Sequence, residues 1–274
     1  MTKLLLTSPA GYAQRLLKAF SECSDATQFH PVSCPMIETD VSIDSADSIR
    51  FFHQLDEYDY IAFSSRKSIE AFALGLQKEG IRIPASLRLC AIGKDNEMLR
   101  ESLHTEPAFV SAEPSPMGIV RHLEQLSIDG MRIGVLAPQV IGMEEPPIVP
   151  DFINGLKAIG MQPSRINVYH TKSASKEVLS ETARHITEKT YDGVVFTSGT
   201  EIKVFLQMVP SQLTIDEFVK DLTVICYGPY TARCAADYGL KVDFTSPAFG
   251  SFQQLVTEIS HYYSNSSDSF VTKD

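Results

Sequence analysis

The stretch Tyr58-Asp59-Tyr60-Ile61-Ala62-Phe63-Ser64-Ser65 returns as Tyr191-Asp192-Gly193-Val194-Val195-Phe196-Thr197-Ser198, an offset of about 133 residues. The echo continues in order. Phe72 matches Phe205, Leu89-Cys90-Ala91-Ile92-Gly93 matches Val224-Ile225-Cys226-Tyr227-Gly228, and Gly118 to Leu123 matches Gly250 to Leu255. Four matched blocks in one order mean two copies of one supersecondary plan, each far longer than a solenoid repeat. Two such units are expected to face one another across a cleft, where ligands tend to sit.

Within each copy, short apolar runs alternate with amphipathic segments. Strands are expected at 3–7, 59–64, 88–92, 107–111, 131–136, 164–170, 192–197, 222–227 and 241–245. Helices are expected at 11–21, 66–78, 94–103, 115–126, 176–188, 199–208, 229–238 and 250–263, with one more ending near Gly160. Apolar runs without strict alternation indicate burial on both faces, hence parallel strands covered by helices. The fold class is α/β, with two doubly wound, flavodoxin-like parallel sheets. Gly80, Gly160 and Gly239 follow amphipathic runs, where a left-handed cap is expected. A strand and helix at 164–188 precede the second copy just as 3–21 open the chain, so a discontinuous division is expected. Residues 1–34 with 172–274 form one domain, 40–164 an inserted one, and 35–39 with 165–171 a two-stranded linker. The polar stretch from Ser264 to Asp274 is expected to fray.

The chain's 274 residues, 43% hydrophobic and 21% charged, suffice for two domains with their own cores. A net charge of −10 argues against nonspecific binding to nucleic acid or anionic membranes. No run approaches the roughly 20 apolar residues of a membrane span. Only three apolar residues open the chain before it turns polar, which reads as a first strand rather than a signal peptide and points to the cytoplasm. The five cysteines have no CxxC spacing and the seven histidines no HxxxH pair, so neither a disulfide framework nor a metal is implied.

In a doubly wound sheet, ligands collect at the carboxyl ends of the strands. The repeated turns fall there: Ser64-Ser65, Gly93-Lys94, Thr197-Ser198-Gly199-Thr200, Gly228-Pro229-Tyr230-Thr231, and a third type containing Ser246-Pro247 and Phe249-Gly250-Ser251. Amides and hydroxyls at helix N-termini suit carboxylates or phosphates. The plain alternative is that these Ser and Thr residues simply cap helices. GxGxxG, Walker A and GxSxG motifs are missing, although a flavin would need none of them. Asp59 and Asp192 stand at the amino ends of their strands, and His170 is expected to point away from its neighbour Tyr169. Tyr169 closes the proposed linker strand. Its phenol, neutral near pH 7, can donate a proton to a leaving oxygen, or it can simply pack at a domain junction.

Phe196-Thr197-Ser198 after an apolar strand, Gly228-x-x-Thr231-Ala232 opening a helix, Val168-Tyr169-x-Thr171 and the opening strand ending Thr7-Ser8-Pro9 resemble the uroporphyrinogen-III synthase family. The resemblance spans nearly the whole chain. It implies two α/β domains joined by a two-stranded linker, in a cytosolic, monomeric enzyme without cofactor or metal. That enzyme closes the linear tetrapyrrole hydroxymethylbilane with inversion of the last pyrrole, in transient contact with the preceding enzyme. Under the resemblance, Tyr169 assists departure of the hydroxyl. Ser198, Gly199, Thr200, Gly228, Tyr230 and Thr231 hold substrate carboxylates from one domain, and Ser65 and Gly93 from the other. Arg66 and Lys94 are expected to add positive charge. The chain departs from the family at Ser8, where an Arg is usual, at Asn96, which stands where Thr231 recurs, and in the proline-rich stretch after Leu136. These departures keep open a binding protein that has lost the chemistry. A flavodoxin-like redox protein is the third reading.

Overall fold

A computed structural model describes residues 1–247 and 250–268. In chain order the elements are β1 (Thr2–Leu6), α1 (Ala10–Glu22), β2 (Phe29–Ser33), β3 (Ile37–Val41), α2 (Ala46–His53), β4 (Tyr60–Phe63), α3 (Arg66–Glu79), β5 (Arg88–Cys90), α4 (Asp95–Leu103), α5 (Pro116–Leu123), β6 (Arg132–Ile141), α6 (Ile148–Ala158), β7 (Gln162–Ser173) and α7 (Lys176–Thr187). The second half continues with β8 (Gly193–Phe196), α8 (Gly199–Leu206), α9 (Ile215–Val219), β9 (Thr223–Cys226), α10 (Pro229–Asp237), β10 (Phe244–Thr245) and α11 (Phe252–Asp268). The chain divides into two compact units, Met1–Glu38 with Ser173–Asp274, and Thr39–Lys172. It passes from one to the other within β3 and β7.

The first unit holds a five-stranded parallel sheet in the order β2-β1-β8-β9-β10. Leu4, Leu5 and Leu6 in β1, and Val194, Val195 and Phe196 in β8, are fully buried, as strands covered by helices on both faces must be. Leu4, Leu6 and Val195 pack with Leu16 and Phe20 of α1 and Leu255, Val256 and Ile259 of α11. From β1 the chain goes to β2 on one side, and its next strand, β8, lies on the other. The order therefore reverses between β1 and β8, the place where a doubly wound sheet opens a crevice beyond its strand ends.

The second unit holds a sheet in the order β3-β7-β6-β4-β5. The β7-β6-β4-β5 pairs are parallel. Bonds from Ser42 N to Val168 O and from Ala174 N to Met36 O run β3 antiparallel to β7 at the edge. Strand β4 shows the pleat directly. Ile61 and Phe63 enter a core with Phe52, Phe72 and Tyr169, while Tyr60 and Ala62 enter a second core with Val135 and Phe152. Here the order reverses between β4 and β6.

Several expectations shift. Residues 107–111 form no strand. Pro107 has no amide hydrogen, Ala108 N donates to Leu89 O, and Val110 is left exposed. The strand expected at 241–245 contracts to two residues, and α2 and α9 occupy segments assigned no helix. Strand β6 runs to Ile141 instead of ending at 136, with Pro138 accommodated at a register shift beside Ala137. Its partner β7 pairs with it from Gln162 to Lys172, so residues 165–171, expected as linker, are also members of this sheet. Helix α11 continues through Ser264 to Asp268, where fraying was expected; residues 269–274 and Phe249 lie outside the described residues. Gly80, Gly160 and Gly239 take positive φ where their helices stop.

Candidate functional site

The turns after β1 and β8 meet at the first unit's reversal point around a side chain the sequence reading did not single out. Glu201, at the third position of α8, is completely buried. Its Oε2 lies 2.7 Å from Thr7 Oγ1 and accepts from Thr197 N (2.8 Å), and its Oε1 accepts from Thr197 Oγ1 (2.6 Å) and Ser198 Oγ (2.9 Å). Ser198 caps α8, its Oγ accepting from Glu201 N (3.4 Å). Burial pushes the Glu201 carboxyl above the usual carboxylate range, against the opposing pull of the bonds from Thr197, Thr7 and Ser198. Ser8, the next residue after Thr7 in the chain, has its Oγ buried without a hydrogen-bond partner. The only sequence signal for Glu201 is Ser198-x-x-Glu201, the pattern of a capping box, in which the acid reaches back to the cap amide. Here it reaches one residue further, to Thr197 N.

The remaining candidates of this unit sit close by. A Cβ on Gly199 would lie 2.6 Å from Cys234 Sγ, so its glycine lets α8 approach α10. Thr231 is buried and its Oγ1 donates to Thr197 O (3.3 Å), tying α10 to the same turn. Gly228 caps α10 in extended backbone, φ −173°, followed by half-buried Tyr230. Thr200 is half-buried in the first turn of α8. The leading amides of a helix have no partner within it, so α8 and α10 each direct such donors beyond the sheet.

In the second unit Ser64 Oγ donates to Leu136 O (2.8 Å) across the reversal point. Ser65 caps α3 in a reciprocal box with Ser68, and its Oγ donates to Tyr169 Oη (2.9 Å). The structure thus joins two expected site residues. Tyr169 is 6% exposed, and burial pushes its phenol up, with Ser65, Ser64 and Arg165 opposing. The phenol is a neutral donor at pH 7. Gly93 has φ +50°, and a Cβ there would lie 2.8 Å from Pro114 Cβ. Asn96 holds this turn through bonds from Nδ2 to Ala91 O (3.2 Å) and Gly93 O (2.8 Å), leaving Oδ1 buried without a partner. Arg66, expected to add positive charge, pairs with Asp95 at 3.2 Å. Lys94 is exposed at the cap of α4. His170 Nε2 meets Gln139 Oε1 at 3.1 Å. Among the described residues no three His, Cys, Asp or Glu side chains gather to hold a metal ion, and no helix is long and apolar enough to cross a membrane.

Residues 18–252 match the family described as uroporphyrinogen-III synthase HemD. A protein of Methanocaldococcus jannaschii, provisionally named a uroporphyrinogen-III synthase, is 23% identical over 243 residues, 87% of this chain and 90% of that protein. Two crystal structures of uroporphyrinogen III synthase from the extremely thermophilic bacterium Thermus thermophilus share the fold. A mutant form aligns with a TM-score of 0.65 at 13% identity over 96% of this chain and 100% of that one. The wild-type form aligns with 0.51 at 12% identity over 97% and 99%.

Proposed function

The chain belongs to the uroporphyrinogen-III synthase family, and we propose that it cyclises hydroxymethylbilane to uroporphyrinogen III, losing water and inverting ring D. No cofactor takes part. Departure of the terminal hydroxyl, protonated as it leaves, gives an azafulvene. The substituted carbon of ring D attacks it, forming a spiro intermediate that fragments and recloses with ring D turned over. Tyr169 is assigned as the proton donor to the departing hydroxyl. The observation that carries this assignment is the Ser65–Tyr169 bond of 2.9 Å at the carboxyl end of the sheet, which fixes a neutral phenol where a doubly wound sheet binds its ligands.

The substrate's carboxylates are assigned to the donor-rich turns: Ser65 and Gly93 in one unit, and Ser198, Gly199, Thr200, Gly228, Tyr230 and Thr231 in the other. Because the Ser198 hydroxyl already bonds Glu201, its share is the main-chain amide. Main-chain recognition at helix N-termini lets an acidic protein grip a polyanion, and holding a flexible chain with its reacting carbons close supplies much of the rate. The enzyme is proposed to act as a cytoplasmic monomer.

The assay supplies hydroxymethylbilane and separates the uroporphyrin isomers after oxidation. Spontaneous closure yields isomer I, so isomer III above that background is the expected result. Isomer I alone, with tight binding of the tetrapyrrole, would instead support the second reading, a binding protein without chemistry, which the neutralised Arg66 and the unpartnered Ser8 favour.

A further inference from the structure

Thr7 carries one hydroxyl proton and faces two acceptors. Its Oγ1 lies 2.8 Å from Val195 O and 2.7 Å from Glu201 Oε2. A carbonyl only accepts, and so does an ionised carboxylate. With Glu201 ionised, two oxygens would compete for that single proton. With a proton on Oε2 every contact closes. Oε2–H donates to Thr7 Oγ1 and Thr7 donates to Val195 O. Thr197 N–H reaches the remaining lone pair of Oε2, and the hydroxyls of Thr197 and Ser198 reach Oε1.

The surroundings agree. Glu201 is 0% exposed, and among the described residues no Lys, Arg or His pairs with it. The titratable groups nearby are Cys226 on β9, its thiol pushed up to about 12 chiefly by burial, and Cys234 on α10, which packs against Gly199. Neither supplies a positive charge. The helix N-terminus and the four donors favour the anion, but burial without a cation opposes it more strongly, and Thr7 cannot serve both acceptors.

We propose that Glu201 is a positioning residue, kept as a neutral carboxylic acid whose proton ties the turn after β1 to the turn after β8 and so fixes the direction of the leading amides of α8. A neutral acid also leaves the positive end of α8 uncancelled, whereas a carboxylate there would repel an incoming carboxylate. Only this last step, the substrate's grip, rests on the proposed function.

The test compares the full chain with E201Q and with E201A. The E201Q amide can donate to Thr7 and accept from the hydroxyls, losing only the bond from Thr197 N because an amide nitrogen does not accept. Difference infrared spectra at neutral pH should show the carbonyl band of a protonated carboxyl in the native chain and not in E201Q; a native spectrum without it overturns the proposal. Unfolding midpoints followed against pH give a second reading. An acid whose folded pKa is raised gives its full stability below its unfolded value of about 4.3 and loses it as pH climbs through the folded value. The gap between E201Q and the native chain should therefore move in favour of E201Q over that climb; a gap moving toward the native chain means an ionised Glu201 and sinks the idea. For the substrate, E201A should raise KM about tenfold with kcat little changed, the mark of lost binding, and E201Q should recover most of that loss. An E201Q as impaired as E201A overturns the positioning role. If none of the three chains makes isomer III, the proposed function falls, while the infrared and pH readings still decide the state of Glu201.

Discussion

After β4, the cap Ser65 and the third helical residue Ser68 bond one another, and the cap hydroxyl reaches across to Tyr169 on another strand. After β8, at the same place in the second repeat, the cap Ser198 and the third residue Glu201 also bond, but the cap hydroxyl turns inward to the acid. The glycine turns differ in the same way. Asn96 spends its amide within its own turn on Ala91 and Gly93, whereas Thr231 reaches the neighbouring turn at Thr197. One duplicated plan has thus produced a unit whose cap hydroxyl engages a buried phenol on another strand, and a unit that stitches its turns together behind the amides. A helix N-terminus needs only some acceptor for its amides; which side chain supplies it decides whether the turn is a chemical group or a rigid frame.

The largest difference should appear at the shared third helical position. Ser68→Ala removes one half of a cap and should cost about 1 kcal/mol. Glu201→Ala strips a buried partner from three hydroxyls and an amide and should cost about 3 kcal/mol. Denaturant midpoints at constant slope measure both, and equal losses would erase the distinction drawn between the two turns. Next in size is Tyr169→Phe, which removes the phenol while Ser65 keeps its bond from Ser68 N. Turnover of hydroxymethylbilane should fall about 100-fold, the lower range for losing a general acid, with the fold intact. Unchanged turnover would take the tyrosine out of the mechanism and leave it as core.

The duplicated blocks made the order of strands and the position of each turn legible, because burial on both faces leaves an unmistakable apolar run. β4 and β8 needed nothing more. Where burial is partial the pattern weakens: 107–111 has apolar residues but Pro107 and an exposed Val110, and β10 keeps only two residues of its run. The site was legible as donors at strand ends but not as partnerships. Arg66 gave no hint of Asp95, 29 residues on, and Ser198 gave none that its hydroxyl would face inward. Glu201 was visible only as a possible cap. Its burial follows from Thr7, nearly two hundred residues earlier, which only the parallel pairing of β1 with β8 brings beside it.

The residue after each cap extends the contrast to helix packing. In the second repeat it is Gly199, against which Cys234 packs; in the first it is Arg66, paired with Asp95 at the head of the following helix. Gly199→Ala should overpack the contact and cost about 2 kcal/mol. Cys234→Ala in the same chain should restore only part of it, since it removes Sγ at 2.6 Å but leaves Cβ at 2.9 Å. Absence of any rescue would mean that Sγ is not the source of the strain and would leave it with the Cβ contact that alanine keeps.

The smallest effect belongs to Arg66→Ala. The pair it forms with Asp95 is partly shielded, with side-chain exposures of 28% and 19%, so its loss should cost only about 0.5 kcal/mol. Activity makes the sharper test. With its charge answered by Asp95, Arg66 contributes little to holding an anion, and KM for hydroxymethylbilane should rise by no more than about threefold, under 1 kcal/mol of binding. Asp95→Asn then discriminates. If the ion pair only staples α3 to α4, the amide leaves KM where it was. If Arg66 serves the substrate when released, the same change lowers KM while Arg66→Ala raises it, and the first repeat's turn would bind by charge where the second binds through its main chain.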